Sequence, residues 1–178
     1  RMQRGKPWVR MKTAASLDGM TALHNGQSQW ITGPLARADG HAWRARACAI
    51  LTGIGTVKAD DPQLNVRAVE TPRQPRRIVV DSRLDISADA RILQGGGTWI
   101  VAAVANPEKE AQLRALGAEV IVLPNGDGKV DLPALMLELG RRQINEVHVE
   151  AGAKLNGSLI REGCVDELLV YLAPTLLG

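Results

Sequence analysis

The sequence predicts an α/β protein built as a three-layer α/β/α sandwich around a mainly parallel central sheet. Short apolar runs typical of strands alternate along the chain with segments that carry helix-start signals. Two of these runs lead directly into a glycine turn and a helix start, at Gly53 and at Gly152. Strands that alternate with helices in this way pair in parallel, and the helices cover both faces of the sheet.

Length and composition favour one globular domain. The 178 residues are 45% hydrophobic and 23% charged, as is usual for such a domain. No apolar run reaches the roughly 20 residues that span a bilayer, and the chain does not open with a basic segment followed by an apolar one. We therefore expect no membrane contact and a cytoplasmic location. Because the first residue is Arg and the chain ends just after a strand-like run, we expect a fragment of a longer protein.

Charge is distributed unevenly along the chain. Residues 1–91 hold 15 Lys and Arg against 8 Asp and Glu, whereas residues 92–178 hold 7 against 11. The basic first half suits an anionic small molecule. Aromatic residues make up only 3% of the chain and the basic residues are dispersed, which argues against a nucleic-acid partner. The two Cys and three His are scattered, so the sequence predicts no metal site.

The first predicted element is a strand from Trp8 to Ser16. Val9 and Met11 lie on one face of this strand, opposite Arg10 and Lys12. A Lys in the middle of a strand usually lies on a solvated face. On a strand buried on both sides, however, the side chain of Lys12 would have to meet an anion.

A short strand and a helix are expected next. The strand is predicted at Met20 to His24, and Trp30 follows in a polar setting, either as a core anchor or as a wall of a flat ligand site. Thr32 and Pro34 mark a helix start, and the helix should run to about Arg46. Most of its arginines are expected to be surface charges, but one at a pocket edge could hold a phosphate in a bidentate fork.

Two further strands are predicted, from Ala47 to Thr52 and from Arg76 to Asp81. After the first strand, Thr56 is expected to cap a short helix. After the second, Ser82 and Arg83 offer a hydroxyl and a guanidinium suited to the ribose phosphate of a cofactor. Ordinary turn chemistry explains a Ser at this position equally well.

The second half of the chain alternates regularly between strands and helices. Strands are predicted at Thr98 to Val104, Glu119 to Leu123, a run that begins at Asn145, and Glu167 to Ala173; helices are predicted at Pro107 to Leu116 and from Asp131 to about Arg142.

The stretch from Glu146 to Ser158 combines a strand end, a glycine turn and a helix start. Backbone N–H groups at such a helix start can bind a phosphate, with Glu150 at the rim of the pocket. An ordinary strand-to-helix connection is the alternative interpretation. If the turns at Gly53 and Gly152 face each other across the sheet, a dinucleotide would fit the crevice between them.

Six short motifs follow one another in a characteristic order. They are K-T-A-A-S-L-D-G from Lys12, S-Q-W-I-T from Ser28, G-I-G-T-V-K-A-D-D-P from Gly53, R-I-V-V-D-S from Arg77, V-E-A-G from Val149 and V-D-E-L from Val165. Each motif alone is weak, but their order and spacing are specific, and they cover nearly the whole chain. Together they resemble the reductase domain of the bifunctional riboflavin-biosynthesis deaminase/reductase.

This resemblance implies a dihydrofolate-reductase-like fold and NADPH as the hydride donor. The implied reaction reduces 5-amino-6-(5-phosphoribosylamino)uracil to 5-amino-6-(5-phosphoribitylamino)uracil. The family is expected to form homodimers and carries an N-terminal zinc deaminase domain, whose H-x-E and P-C-x-x-C signature is absent from this sequence. We therefore expect residues 1–178 to be a single reductase domain without the deaminase domain and without the family's final strands. A standalone reductase is the alternative.

Functional residues are carried over one by one. The resemblance places on the cofactor Ala14, Trp30, Thr56, Asp60 and Ser82, with Gly152, Ala153, Lys154, Leu155, Asn156, Gly157 and Ser158 around its phosphates. It places on the substrate Ser28, Arg44, Leu64, Arg67 and Glu150. Lys12 is expected near the reacting ribose, and Lys12 and Asp60 are the candidates for proton transfer. The assignment of Leu64 rests on the resemblance alone.

Less specific interpretations exist for these residues and for the whole chain. Lys12 and Asp60 could pair as a buried salt bridge, Arg67 could be a solvated loop charge, and Glu150 could cap the next helix. A pteridine or folate reductase would share the fold and NADPH. A nucleotide-binding module without catalytic activity is the other alternative.

Overall fold

The computed structural model describes residues 5–23 and 33–177. Within these residues, seven strands and five α-helices follow one another along the chain. They are β1 (Trp8–Ser16), α1 (Pro34–Arg46), β2 (Ala49–Gly53), α2 (Ile54–Asp60), β3 (Arg76–Val80), β4 (Thr98–Ala102), α3 (Pro107–Ala115), β5 (Glu119–Val122), α4 (Leu132–Arg141), β6 (Glu146–Val149), α5 (Ala153–Arg161) and β7 (Glu167–Ala173). A single 3₁₀ turn at Arg91–Leu93 precedes β4.

The seven strands form one sheet in the order β5-β4-β3-β2-β6-β1-β7. Every pair of neighbouring strands runs in parallel. Parallel neighbours need a crossover connection, which is usually a helix, so the helices are distributed over the two faces of the sheet. The predicted α/β sandwich is confirmed, and the described sheet is wholly rather than mainly parallel.

Each face of the sheet has its own core. On one face, Leu139 of α4 and Leu159 of α5 pack in a buried cluster with Leu51 of β2. On the other face, Leu113 of α3 packs in a second cluster with Ile50. Ile50 and Leu51 are consecutive residues, and consecutive side chains of a strand point to opposite faces. The three layers of the predicted sandwich are therefore helix, sheet and helix.

The chain leaves two adjacent strands in opposite directions. From β2 it passes through α2 toward β3, whereas from β6 it passes through α5 to β7 on the far side of β1. The carboxyl ends of β2 and β6 thus open a crevice between diverging connections. In open parallel sheets, such a switch point is the usual place for a ligand.

Local signals predicted most helices and strands, with two exceptions. Asp131 caps α4 as predicted, because its side chain accepts a hydrogen bond from the Ala134 N–H. Thr56 does not cap α2: the helix begins at Ile54 with Gly53 at the N-cap, so Thr56 lies in the first turn. The predicted strand from Met20 is also wrong over residues 20–23, where the chain forms bends.

The remaining boundaries agree with the predictions to within two residues, which is the usual uncertainty of helix and strand ends. The bend after β1 is closed by the N–H of Met20, which donates to Ser16 Oγ over 3.0 Å. His24 and Thr32 lie outside the described residues, as do Ser28 and Trp30. The substrate contact of Ser28 and the cofactor contact of Trp30 stay predictions.

Candidate functional site

The turns that follow β2 and β6 face each other across the crevice, which is the arrangement considered from the sequence for a dinucleotide site. A Cβ atom added to Gly53 would lie 3.1 Å from Leu155 Cδ2, and one added to Gly152 would lie 3.8 Å from Thr56 Oγ1. Gly53 has a φ of −107°, which other residues can also adopt. A glycine is favoured there because the two turns approach each other closely. This approach places the first turns of α2 and α5 side by side.

The first turn of α5 has backbone N–H groups and no side chain that caps them. These groups are unpaired within their helix, and together with the positive helix end they favour an anion. Ala153 and Lys154 are exposed. The Asn156 amide donates to the Ala151 carbonyl over 3.0 Å, while its buried Oδ1 has no hydrogen-bond partner in the described part of the chain. The loop predicted to bind the cofactor phosphates is therefore open to a ligand.

Arg44 and Glu150 form the central ion pair of the site. Arg44 Nε donates to Glu150 Oε1, and Arg44 Nη2 donates to Glu150 Oε2 over 2.9 Å. The third contact of the guanidinium is the Asn65 carbonyl, which lies 3.2 Å from Arg44 Nη1. Only 15% of the Arg44 side chain and 16% of the Glu150 side chain are exposed. A bidentate fork of this kind fixes both the position and the orientation of the carboxylate.

The sheet positions Glu150, and α1 delivers Arg44 to it. Glu150 follows β6 directly, and its N–H extends the β2 ladder by donating to the Leu51 carbonyl over 2.9 Å. Burial alone would raise the pKa of Glu150, but the hydrogen bonds and the positive charge of Arg44 outweigh burial and lower it. Burial would likewise lower the pKa of Arg44, yet the bonds to Glu150 raise it. Both groups are therefore ionised at neutral pH.

Lys12 belongs to the same electrostatic cluster. Its side chain is half-buried on β1, and its positive charge is one of the causes that lower the pKa of Glu150. Lys12 Nζ also lies 5.6 Å from the centre of the Tyr171 ring. Ala14 is level with Tyr171 in the β1–β7 ladder. The structure thus brings Lys12, Arg44 and Glu150 together, and Ala14 lies half-buried two residues after Lys12 on the same strand.

Arg67 lies beside Arg44 through a shared neighbour. Arg67 Nη1 donates to Asn65 Oδ1 over 3.0 Å, and Arg44 contacts the carbonyl of the same Asn65. Arg67 is exposed, and its N–H donates to His41 Nδ1 over 3.4 Å. Leu64 is only 4% exposed and belongs to the core on the α2 face. The substrate contact predicted for Leu64 stays a prediction.

The remaining cofactor candidates lie in the segments that follow β2 and β3. Thr56 is half-buried in α2, and Asp60 is exposed at the last position of that helix. Ser82 comes two residues after Val80, which is level with Gly53. Ser82 Oγ accepts a hydrogen bond from the Val130 N–H over 3.2 Å, so the hydroxyl keeps its own hydrogen for a further bond.

Sequence reasoning missed two parts of the site. His148 is fully buried with its Nε2 at 3.7 Å from Glu150 Oε1. Tyr171 donates to Asp39 of α1 and thereby ties that helix to β7. The alternation of His148 and Glu150 along one strand was a usable signal for the first residue. No local pattern could have revealed the second contact, because its partners are 132 positions apart.

Two negative findings apply to residues 5–23 and 33–177. No three side chains among His, Cys, Asp and Glu come together there in a way that could hold a metal ion. None of the helices in this part of the chain has both the length and the apolar character needed to cross a membrane.

Comparison with known proteins agrees with this architecture. The riboflavin biosynthesis protein RibD of Escherichia coli is 44% identical over 191 aligned residues, which cover 100% of this chain and 51% of the relative. The solved structure of Acinetobacter baumannii RibD has a TM-score of 0.85 at 39% identity and covers 98% of this chain and 48% of that one.

A Thermotoga maritima protein named as a diaminohydroxyphosphoribosylaminopyrimidine deaminase/5-amino-6-(5-phosphoribosylamino)uracil reductase is also similar in structure. Its TM-score is 0.78 at 27% identity, with 99% of this chain and 47% of that chain covered. The chain thus spans about half the length of these relatives. The family described as the RibD C-terminal domain matches residues 7–178. The chain therefore belongs to the RibD C-terminal domain family.

Proposed function

We propose that this chain is a reductase domain of riboflavin biosynthesis. The proposed reaction reduces 5-amino-6-(5-phosphoribosylamino)uracil to 5-amino-6-(5-phosphoribitylamino)uracil with NADPH. We place this reaction in the cytoplasm of the cell. The observation that carries the proposal is the crevice between β2 and β6. It combines an uncapped helix start with a positioned carboxylate and two arginines. Family membership and the activity named for the Thermotoga relative support the same reaction.

The residues of the crevice fit a dinucleotide. The first turn of α5, which begins at Ala153 within the predicted loop from Gly152 to Ser158, offers N–H groups to the phosphates. Thr56 and Ser82, both half-buried, offer hydroxyl groups that can donate to a ligand. When bound, NADPH supplies the hydride. The work of the protein is to hold the donor and acceptor carbons in contact and to exclude water.

Glu150 and the two arginines are assigned to the substrate. An ionised carboxylate accepts hydrogen bonds, so Glu150 suits a pyrimidine N–H. Arg44 and Arg67 flank Asn65 and suit the phosphate. In the free protein, Glu150 and Arg44 bind each other, so their mutual contact competes with their contacts to the substrate. Substrate binding in this proposal therefore rearranges the ion pair.

The reaction consumes one hydride and one proton, and opens the ribose ring. Lys12 is the first candidate to donate the proton or to stabilise the charge that develops, because its positive charge already acts on Glu150. Asp60 is the second candidate at the crevice edge. Either side chain can also act by charge stabilisation without transferring a proton.

The test is NADPH oxidation by the purified chain with three substrates in parallel: the phosphoribosylaminouracil, dihydrofolate and none. We expect turnover with the first alone. The variants Lys12→Met and Asp60→Asn should lower kcat by about 100-fold or more while changing NADPH binding much less. Turnover with dihydrofolate alone would identify a folate-type reductase. Cofactor binding without turnover of either compound would contradict the enzyme assignment.

A further inference from the structure

His148 is a buried histidine whose role the reaction does not explain. It lies in the middle of β6 and has no exposed surface. Neither ring nitrogen has a hydrogen-bond partner within residues 5–23 and 33–177. Buried polar groups in folded proteins are nearly always hydrogen-bonded, so an unpaired imidazole in the interior points to a function.

The side chain of His148 lies beside Glu150, which follows the carboxyl end of β6. Glu150 follows two residues later on the same side of the chain, and its Oε1 lies 3.7 Å from His148 Nε2. This distance is too long for a hydrogen bond, but a shift of less than 1 Å by the carboxylate would form one. Arg10 of β1 and Ile50 of β2 are level with His148 in the sheet.

The surroundings favour the neutral imidazole. Burial lowers the pKa of His148 below its ordinary value of 6.5, and the charges of Arg44, Arg10 and Lys12 lower it further. Glu150 acts in the opposite direction but does not outweigh them. A neutral imidazole has a single N–H donor. Because Nε2 is the nitrogen that faces a carboxylate, the donor belongs on Nε2.

We propose that His148 is a positioning residue that holds Glu150 through its Nε2–H when substrate engages Arg44. This proposal rests on the proposed function, in which Arg44 and Glu150 both contact the substrate. In the free protein, Arg44 donates to both oxygens of Glu150. Moving the guanidinium onto a phosphate removes those donors. A carboxylate that keeps little contact with water then needs another donor, and His148 supplies it from a fixed point on the sheet.

Kinetics of three variants test the proposal. His148→Leu removes the donor, His148→Gln keeps an amide N–H on the same strand position, and Ile50→Val changes only packing at the level of His148. We expect His148→Leu to raise the KM for the phosphoribosylaminouracil about tenfold, the scale of one hydrogen bond to a charged group. The KM for NADPH should not change. His148→Gln should recover most of the loss, and Ile50→Val should have no effect on either KM.

Two kinetic outcomes would overturn the proposal. One is an unchanged substrate KM in a folded His148→Leu variant, with thermal unfolding as the check of folding. The other is an equal rise in Ile50→Val, which would assign the effect to packing. In a Glu150→Gln background, His148→Leu should add nothing further, because the carboxylate that it positions is already gone.

A spectroscopic readout keeps the proposal independent of turnover. NMR of the chain with ¹⁵N-labelled histidine should show the neutral His148 ring protonated only on Nε2, with the signal assigned by its loss in His148→Leu. A hydrogen on Nδ1 would overturn the positioning role whether or not the chain is active. If the wild type does not turn over the substrate, the proposed function fails, and the tautomer still decides the role of His148.

Discussion

The ion pair of Arg44 and Glu150 joins two side chains that the family resemblance places on the substrate. Each oxygen of the carboxylate receives a hydrogen bond from the guanidinium. Neither side chain could be linked to the other from sequence, since 106 positions separate them. While no ligand is bound, each side chain compensates the charge of the other. Removing either partner would leave an uncompensated, mostly buried charge.

Glu150→Gln should lower both stability and substrate affinity. The substitution leaves Arg44 largely buried without its charged partner, which costs about 1 to 3 kcal/mol in the free energy of unfolding. Glu138→Gln is the matched control, because Glu138 pairs with Arg142 on α4, far from the crevice. We expect the control to cost less than about 1 kcal/mol and to leave the substrate KM unchanged. Urea unfolding and steady-state kinetics of both variants measure these effects.

The same pair makes stability depend on pH in a predictable direction. The pKa of Glu150 is lower in the folded chain than its ordinary 4.5. The unfolded chain therefore takes up the proton first as the pH falls below 4.5, so the stabilisation is complete above that value and declines below it. The stability difference between the wild type and Glu150→Gln should shrink in this acidic range. A difference that stays constant from pH 6 to pH 3 would contradict the lowered pKa.

At the scale of elements, the crevice depends on how closely α5 approaches the end of β2. The contact of Leu155 with Gly53 leaves no room for a larger residue, and a Cβ at Gly53 would come within 3.1 Å of Leu155 Cδ2. In contrast, α1 contributes no fully buried side chain. Polar contacts through Arg44, Trp43 and Asp39 hold it over the sheet. A helix held mainly by polar contacts can adjust when a ligand binds.

Gly53→Ala should therefore damage the cofactor site more than it damages the fold. The added methyl group presses on Leu155 and displaces the first turn of α5, and Ala is also a poorer N-cap for α2 than Gly. Gly55→Ala is the control, because no atom of the described residues outside its own helix backbone and chain neighbours lies within 4 Å of a Cβ at that position. We expect the control to gain about 0.5 to 1 kcal/mol of stability. Gly53→Ala should gain none and should raise the KM for NADPH several-fold; equal NADPH affinity in both variants would contradict this account.

At the scale of the whole molecule, β7 is an edge strand with a solvent-exposed apolar face. Among the described strands it pairs only with β1, and its outward face exposes Leu168, Val170 and Leu172 by 57%, 47% and 64%. Edge strands with an apolar face promote pairing with other chains unless something covers them. The homodimer that the family resemblance implies, or a further segment of a longer protein, would cover this face.

Val170→Lys should reduce self-association of the isolated chain. A charge in the middle of the exposed apolar row opposes both edge-to-edge pairing and apolar contact. Leu137→Lys on α4 adds the same charge at another exposed apolar position, 45% exposed, and serves as the control. Sedimentation velocity over a range of concentrations should show weaker association for Val170→Lys alone. Equal association in both variants and the wild type would exclude the β7 face as the contact.

The sequence by itself determined the layers of the fold and where most of its helices and strands begin and end. The strand-like run from Trp8 to Ser16, Pro34 at a helix start, and the Asp131 cap are local signals, and each was confirmed within the described residues. The glycines at positions 53 and 152 also predicted facing turns. These features could be predicted because their physical causes lie within a few residues of each other.

Only the tertiary structure decided which side chains meet. The strand order places β6 between β2 and β1 although about 90 residues separate β2 from β6 in the chain, so Arg44, Lys12 and His148 converge on Glu150. The family resemblance named three of these four residues without showing that they form one charged cluster. Contacts between distant segments depend on the crossover connections and on packing of the whole sheet, and no local pattern encodes them.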